Sequence, residues 1–232
     1  MTALHKLDLS FNELGAEGGI ALGASLQHLT GLRGLDLRDN KIGPEGGKAL
    51  KASLQRLTAL QMLDLAQNEL GGDGGEAVGA SLMHLTALRD LELASNELGP
   101  QGGKAIGVSL QYLTALEQLS LFHNDLGDEE AKVLGASLQH LTALESVRLG
   151  RNSLGAGAGT TLAGALRNLT ALQELDLHEN VLGKMGSKAL GLTLQRLTAL
   201  RRLELSDNRM NVDDKKAIAA LVPHVQMLTM RG

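Results

Sequence analysis

Hydrophobic and polar positions along this chain follow two rhythms that take turns. Phrases such as Leu60-Gln-Met-Leu63-Asp-Leu65-Ala-Gln-Asn68 place Leu63 and Leu65 two apart between polar neighbours, the period of a half-buried strand. A wider spacing follows. Val78, Leu82 and Leu85, like Leu50, Leu54 and Leu57, lie four and three apart and predict one apolar helical stripe. Pro44 and Pro100 stand near the predicted helix start, where a missing N–H leaves no bond unmade. Thr58, Thr86, Thr114, Thr142, Thr170 and Thr198 are expected to end each helix before the chain returns to the next strand. One unit therefore reads as strand, turn, helix, return.

The unit repeats without insertion or deletion. Asn recurs at 12, 40, 68, 96, 124, 152, 180 and 208, always 28 residues apart. So small a unit cannot bury its strand and helix leucines alone, and neighbours must stack to close a continuous core. Parallel strands pair about 4.8 Å apart whereas helices pack about 8–10 Å apart, so the stack must curve with its strands inside. Gly46, Gly47, Ala49 and Ala52 are positions where helices can approach closely. The Asn amide is expected to bond backbone N–H and C=O groups in the buried turn.

The phrase L-x-x-L-x-L-x-x-N-x-L-G at this period resembles a leucine-rich repeat protein, with a subtype similar to ribonuclease inhibitor and the sensor domains of NOD-like receptors. The resemblance covers essentially the whole chain. It implies an α/β fold, a right-handed horseshoe with parallel strands on the concave face and helices on the convex face. About eight repeats would fill residues 1–232 as one domain, with a degenerate capping repeat at 209–232. It further implies a module that binds a protein partner and has no intrinsic catalysis. Ribonuclease inhibitor is Cys-rich and alternates two repeat lengths, whereas this chain has no Cys and one length, which leaves the ligand open. Met1-Thr-Ala-Leu4 shares the phase of Leu57-Thr-Ala-Leu60 with no polar cap before it, so the expectation is a C-terminal piece of a longer chain, or else an edge strand that self-associates. Val225, Leu228 and Met230 are candidates for a last, shortened strand.

If Leu35 and Leu37 face the core, Asp36 faces the concave surface, and the same parity holds in every repeat. The central column is then Asp8, Asp36, Asp64, Glu92, Ser120, Arg148, Asp176 and Glu204, with Asp90 and Glu174 in the preceding column. This mainly acidic face suits a protein partner, one that is basic in character. Charges about 5 Å apart in water repel by only about 1 kcal/mol, so the ladder is equally tolerable as repeat grammar without a ligand. Phe122 and His123 leave the small and polar pattern of their column, and Arg148 and Arg151 follow one repeat later. Asp36, Asp64, Asp90, Glu92, Phe122, His123, Arg148 and Arg151 are the candidate partner-binding residues, since an aromatic beside Arg is the composition of an interface hot spot.

Composition removes other classes. With 22 Lys+Arg against 26 Asp+Glu, one Tyr, two Phe and no Trp, neither general polyanion affinity nor a base-stacking platform is expected, so nucleic acid is not an expected partner. The absence of Cys excludes a Cys nucleophile and thiolate metal sites. No apolar run suggests a membrane span or signal sequence, and the reading is a soluble, cytoplasmic domain. Gly43-Pro-Glu-Gly-Gly-Lys48 and Gly99-Pro-Gln-Gly-Gly-Lys104 are each a residue short of a phosphate loop and lack its Ser or Thr, so they read as turns. His28, His84, His140 and His224 share one phase but stand too far apart for a common metal. Asp125, Asp128, Glu129 and Glu130 read as a solvated helix start. No metal, cofactor or catalytic residue is expected. The alternative functions are activation of a small GTPase, as in the GTPase-activating relatives of this repeat class, or a structural, self-assembling fragment of a larger sensor protein.

Overall fold

The computed structural model describes residues 4–232, so the phase match at Met1, Thr2 and Ala3 lies outside the described residues. The strands are β1 (Lys6–Asp8), β2 (Gly34–Asp36), β3 (Met62–Asp64), β4 (Asp90–Glu92), β5 (Gln118–Ser120), β6 (Ser146–Arg148), β7 (Glu174–Asp176), β8 (Arg202–Glu204) and β9 (Met227–Thr229). Between them run α1 (Gly15–Ser25), α2 (Gly43–Leu54), α3 (Gly71–Leu82), α4 (Gly99–Leu110), α5 (Gly127–Leu138), α6 (Ala156–Leu166), α7 (Gly183–Leu194) and α8 (Val212–Leu221). The strands form one parallel sheet in chain order, and each helix packs on the next. Leu35, Leu63 and Leu91 stand directly opposite one another, as the unbroken repeat length requires. The result is a right-handed solenoid, concave on the strand side because strands pair more closely than helices pack.

A single apolar stripe fills the space between sheet and helices. Leu63, Leu65, Leu70, Val78, Leu82 and Leu85 of one repeat are all fully buried, as are their counterparts in the repeats that begin with β2 to β7, while Leu7, Leu9, Leu22 and Leu29 of the first repeat are partly buried. Each such leucine stabilises the fold by about 1.5–3 kcal/mol relative to exposure. Close helix contact rests on glycine: a Cβ added to Gly47 would sit 2.9 Å from Gly74 Cα. Ala52, by contrast, is exposed, and Ser53 takes the buried place beside it.

Three local readings need correction. The helices stop at Leu54, Leu82 and Leu110, well before Thr58, Thr86 and Thr114. Leu57 and Leu85 therefore belong to the return segment, where Leu57 N–H donates to Leu54 C=O and Leu60 N–H to Leu57 C=O, tight turns that satisfy the last carbonyls. The glycine-rich stretches at Gly43 and Gly99 are the first turns of α2 and α4, with Pro44 and Pro100 at the start of each helix. Asp128 opens α5 as expected but is half-buried, not fully solvated. Its Oδ1 accepts from Gly155 N–H at 2.6 Å and Ala158 N–H at 3.3 Å, capping α6 of the following repeat.

The repeated Asn ties each turn to its neighbour. Asn96 Nδ2 donates to Leu93 C=O and Ala94 C=O in its own repeat and to Leu65 C=O in the preceding one, at 3.0, 3.2 and 2.8 Å. Its Oδ1 accepts from Asn68 N–H at 3.1 Å and from Leu70 N–H. Residues on both sides of each Asn adopt left-handed backbone, as at Gln67 (φ 57°) and Glu69 (φ 55°), which turns the chain from strand to helix. The pattern breaks once. Val181 is β-branched and stays out of that region, and Gly155 has φ −95°. The first helical glycine elsewhere donates to the next repeat's Asn C=O, as Gly127 does to Asn152 at 2.9 Å, whereas Gly155 uses Asp128 and Val181 N–H donates to Leu154 C=O.

α8 carries its own capping box, with Asn211 and Asp214 each accepting from the other's N–H. β9 then pairs Leu228 with Leu203, a step of 25 residues instead of 28.

Replacing Asn96 by Ala should cost roughly 3 kcal/mol or more in urea denaturation, because it strands several buried backbone groups worth about 1–3 kcal/mol each. Asn12→Ala, at the exposed end of the ladder, should cost less than about 1 kcal/mol. Equal losses would contradict the ladder.

Candidate functional site

The sheet register aligns Asp8, Asp36, Asp64, Glu92, Ser120, Arg148, Asp176 and Glu204 in one concave column that ends at Thr229. Most of its carboxylates have a local task. Asp36 Oδ1 accepts from Arg38 N–H at 3.1 Å, Asp64 from Ala66 at 2.9 Å, Asp176 from His178 at 3.0 Å and Glu204 Oε1 from Ser206 at 3.0 Å. The acid between two strand leucines thus fixes the backbone where each short strand ends.

Arginines from neighbouring repeats offset the column. Arg38 pairs with Asp64 at 2.9 Å, and Asp64 is only 6% exposed. Arg148 lies 3.9 Å from Glu92 and 3.5 Å from Glu174, and Arg202 lies 3.8 Å from Glu174. Asp90 stands beside this group with a buried Oδ1 that has no hydrogen-bond partner among the described residues. Burial raises the carboxyls of Asp64, Asp90 and Glu92 above their ordinary range, with added repulsion from Asp36 at Asp64 and from Asp64 at Asp90.

The second half of the face carries an aromatic shelf. Phe122 is half-buried and stacks on His178 two repeats away, ring centres 5.4 Å apart and planes at 30°. His123 tilts against Phe122 at 6.0 Å, and the Arg151 guanidinium lies 5.7 Å from the Phe122 ring centre while bonding Glu179 at 2.6 Å. Gly150 makes the stacking possible, because a Cβ there would meet His178 Nδ1 at 2.8 Å and Phe122 Cδ2 at 3.1 Å. Phe122, His123 and Arg151 are thus gathered into one cluster; Asp36 stands apart from it, on β2. His178 was missed by sequence reasoning, although its place two repeats after Phe122 in the same column was visible.

Phe122 and His178 line a groove of about 710 Å³ running from Arg38 to Arg231, with Glu92, Arg148 and Asp176 along it. His178 Nδ1 contacts Asp176 Oδ1 at 2.6 Å and Nε2 faces Glu179 at 3.8 Å, and among the described residues no hydroxyl hydrogen-bonds the ring. No three His, Asp or Glu side chains among the described residues converge on a metal-sized site, and no described helix is long and apolar enough to cross a membrane.

A Leucine Rich repeat model matches residues 1–23, 28–51, 57–79, 84–107 and 112–135, together just over half of the chain. The chain belongs to the leucine-rich repeat family. Members of this family typically mediate protein–protein interaction. Among solved structures the chain is similar to the internalin InlF of Listeria monocytogenes, at 18% identity over 98% of this chain and 81% of that one, with a TM-score of 0.37. Internalin C2 of the same organism is 20% identical over 99% of this chain and 77% of that one, with a TM-score of 0.48. A TLR13–ssRNA13 complex matches at 20% identity over 97% of this chain and 35% of that one, with a TM-score of 0.49. No curated protein matches.

The raised carboxyls set a pH dependence. A folded-state carboxyl raised above its unfolded value destabilises the fold at pH above the raised value, and this effect disappears below the unfolded one. Asp90→Asn should therefore raise stability at pH 7, with the gain shrinking to nothing as pH falls below the ordinary 3.8. Thermal melts of both proteins from pH 3 to pH 8, a range of roughly that span, provide the check, and a gain that persists in acid would count against it.

Proposed function

We propose that this leucine-rich repeat chain is a recognition module that binds a protein partner in its concave groove and performs no chemistry itself. The observation that carries the reading is the Phe122–His178 shelf, a half-buried aromatic stack standing in an otherwise polar sheet and bordered by Arg148, Arg151 and His123. Such a rigid aromatic surface beside arginine is what interface hot spots are made of. Asp36, Asp64, Asp90 and Glu92 frame the other half of the face and set its charge pattern. Residues 1–232 act as one domain in this reading, with 209–232 as its terminal cap, supported by the capping box of α8 and the shortened step to β9. The uniform 28-residue unit with a full helix supports a subtype like ribonuclease inhibitor and NOD-like receptor sensors.

A photo-crosslinking residue at Ala94, which lines the groove, should capture a partner that the same residue at Val108, exposed on α4, does not. Phe122→Ala should weaken that partner's binding by roughly 30-fold, the loss expected of a hot spot worth about 2 kcal/mol. Capture from Val108 alone would contradict the reading.

A further inference from the structure

The groove contains both signs of charge, and they differ in how much bonding capacity is left. Acids of this face are engaged internally: in the groove Asp176 Oδ1 accepts from the N–H and meets the ring of His178 and Glu204 Oε1 accepts from Ser206, and beside it Asp64 holds Ala66 N–H of its own repeat and Arg38 of the preceding one. Two arginines are not so engaged. Arg148 on β6 and Arg202 on β8 reach towards Glu174 on the strand between them, Arg148 Nη2 to Oε2 at 3.5 Å and Arg202 Nη1 to Oε1 at 3.8 Å. Charge-assisted bonds are about 2.7–2.9 Å long, so both guanidiniums are near a carboxylate without bonding it. On the same molecule Arg38 and Arg151 show what full engagement looks like, at 2.9 and 2.6 Å. The side chains of Arg148 and Arg202 are also 43% and 56% exposed, leaving planar N–H forks open to the groove.

We infer that Arg148 and Arg202 form a carboxylate-reading pair that Glu174 holds in place, and that the groove takes an acidic protein segment whose Asp or Glu side chains bond this pair beside the Phe122–His178 shelf. The inference rests on the concave-groove reading above and reverses the partner charge expected from the acidic column. That column is largely internal bonding, whereas the donors left over are cationic. Glu174 keeps the two arginines from repelling each other while the groove is empty, and an incoming carboxylate that reaches hydrogen-bond distance satisfies them better.

Fluorescence anisotropy with labelled hexaglutamate, hexalysine and hexathymidylate tests this on four proteins: wild type, Arg148→Gln with Arg202→Gln, Glu174→Gln, and Asp64→Asn with Glu92→Gln. Circular dichroism melts accompany each, and Arg148→Lys with Arg202→Lys serves if the Gln pair fails to fold. Hexaglutamate should bind wild type in preference to hexalysine and hexathymidylate, roughly tenfold or more weaker after loss of the arginine forks, and about twofold tighter in Glu174→Gln, where a competing charge is gone. Hexathymidylate binding that matches hexaglutamate and depends on the arginines would make this a phosphate reader and overturn the acidic segment. Hexalysine binding abolished by the Asp64 and Glu92 changes would overturn it while leaving the groove as the binding surface. If no probe binds at millimolar concentration, or binding ignores every concave variant, both the pair and the groove reading fall.

Discussion

Everything in this molecule depends on one side-chain amide repeated at one phase. From Asn40 to Asn180 the buried Asn of each repeat donates into two successive strand ends and accepts the N–H of the preceding Asn, so neighbouring turns are bonded to each other as directly as neighbouring strands are. Three-residue strands are too short to hold a sheet on their own ladder alone. The amide row extends the ladder into the turn, and it makes the left-handed backbone around each Asn tolerable by satisfying the groups that the turn would otherwise bury unpaired. A repeat protein is stabilised by its neighbour contacts, and here those contacts include the amide row as well as the leucines.

The same constraint shapes the surface. Because each step is identical, a residue at one phase always lands in one column, and chemistry on the concave face becomes a matter of which columns deviate. Phe122, Gly150 and His178 occupy one column in successive repeats, and the missing side chain at Gly150 lets the other two meet. Arg38 and Arg148 reach across strands to Asp64 and Glu174 on the following repeats, so charge is balanced between repeats as well as within them. The single break, at Gly155 and Val181, is absorbed on the helix side by Asp128 and leaves the strand register of β6 and β7 intact.

The architecture was legible because Asn spacing and leucine parity report directly on strand register. Helix ends were less so, since Leu57 and Leu85 keep the helical spacing while lying in 3₁₀-like turns that bury them equally well. The left-handed pairs gave no signal, for Gln67 and Glu69 are ordinary surface residues whose conformation is imposed by Asn68 between them. At the site, the alignment of the column followed from alternation, but the local bonds of its acids did not, because their partners are backbone N–H groups two residues on and leave no trace in side-chain pattern. The cap that Asp128 places on the next repeat left no signal for the same reason, its partner being backbone. His178 was visible by phase alone, and recognising it required following the Phe122 column past Gly150.

The most direct test of this account is native-state amide hydrogen exchange at the turn residues themselves. The N–H groups of Asn68, Asn96 and Asn124, each bonded to the next Asn side chain, should exchange as slowly as the strand amides of Leu63, Leu91 and Leu119, while Asn12 N–H at the exposed end exchanges faster. Exchange of the internal Asn amides at rates typical of surface loops would show that the amide row does not hold the repeats together.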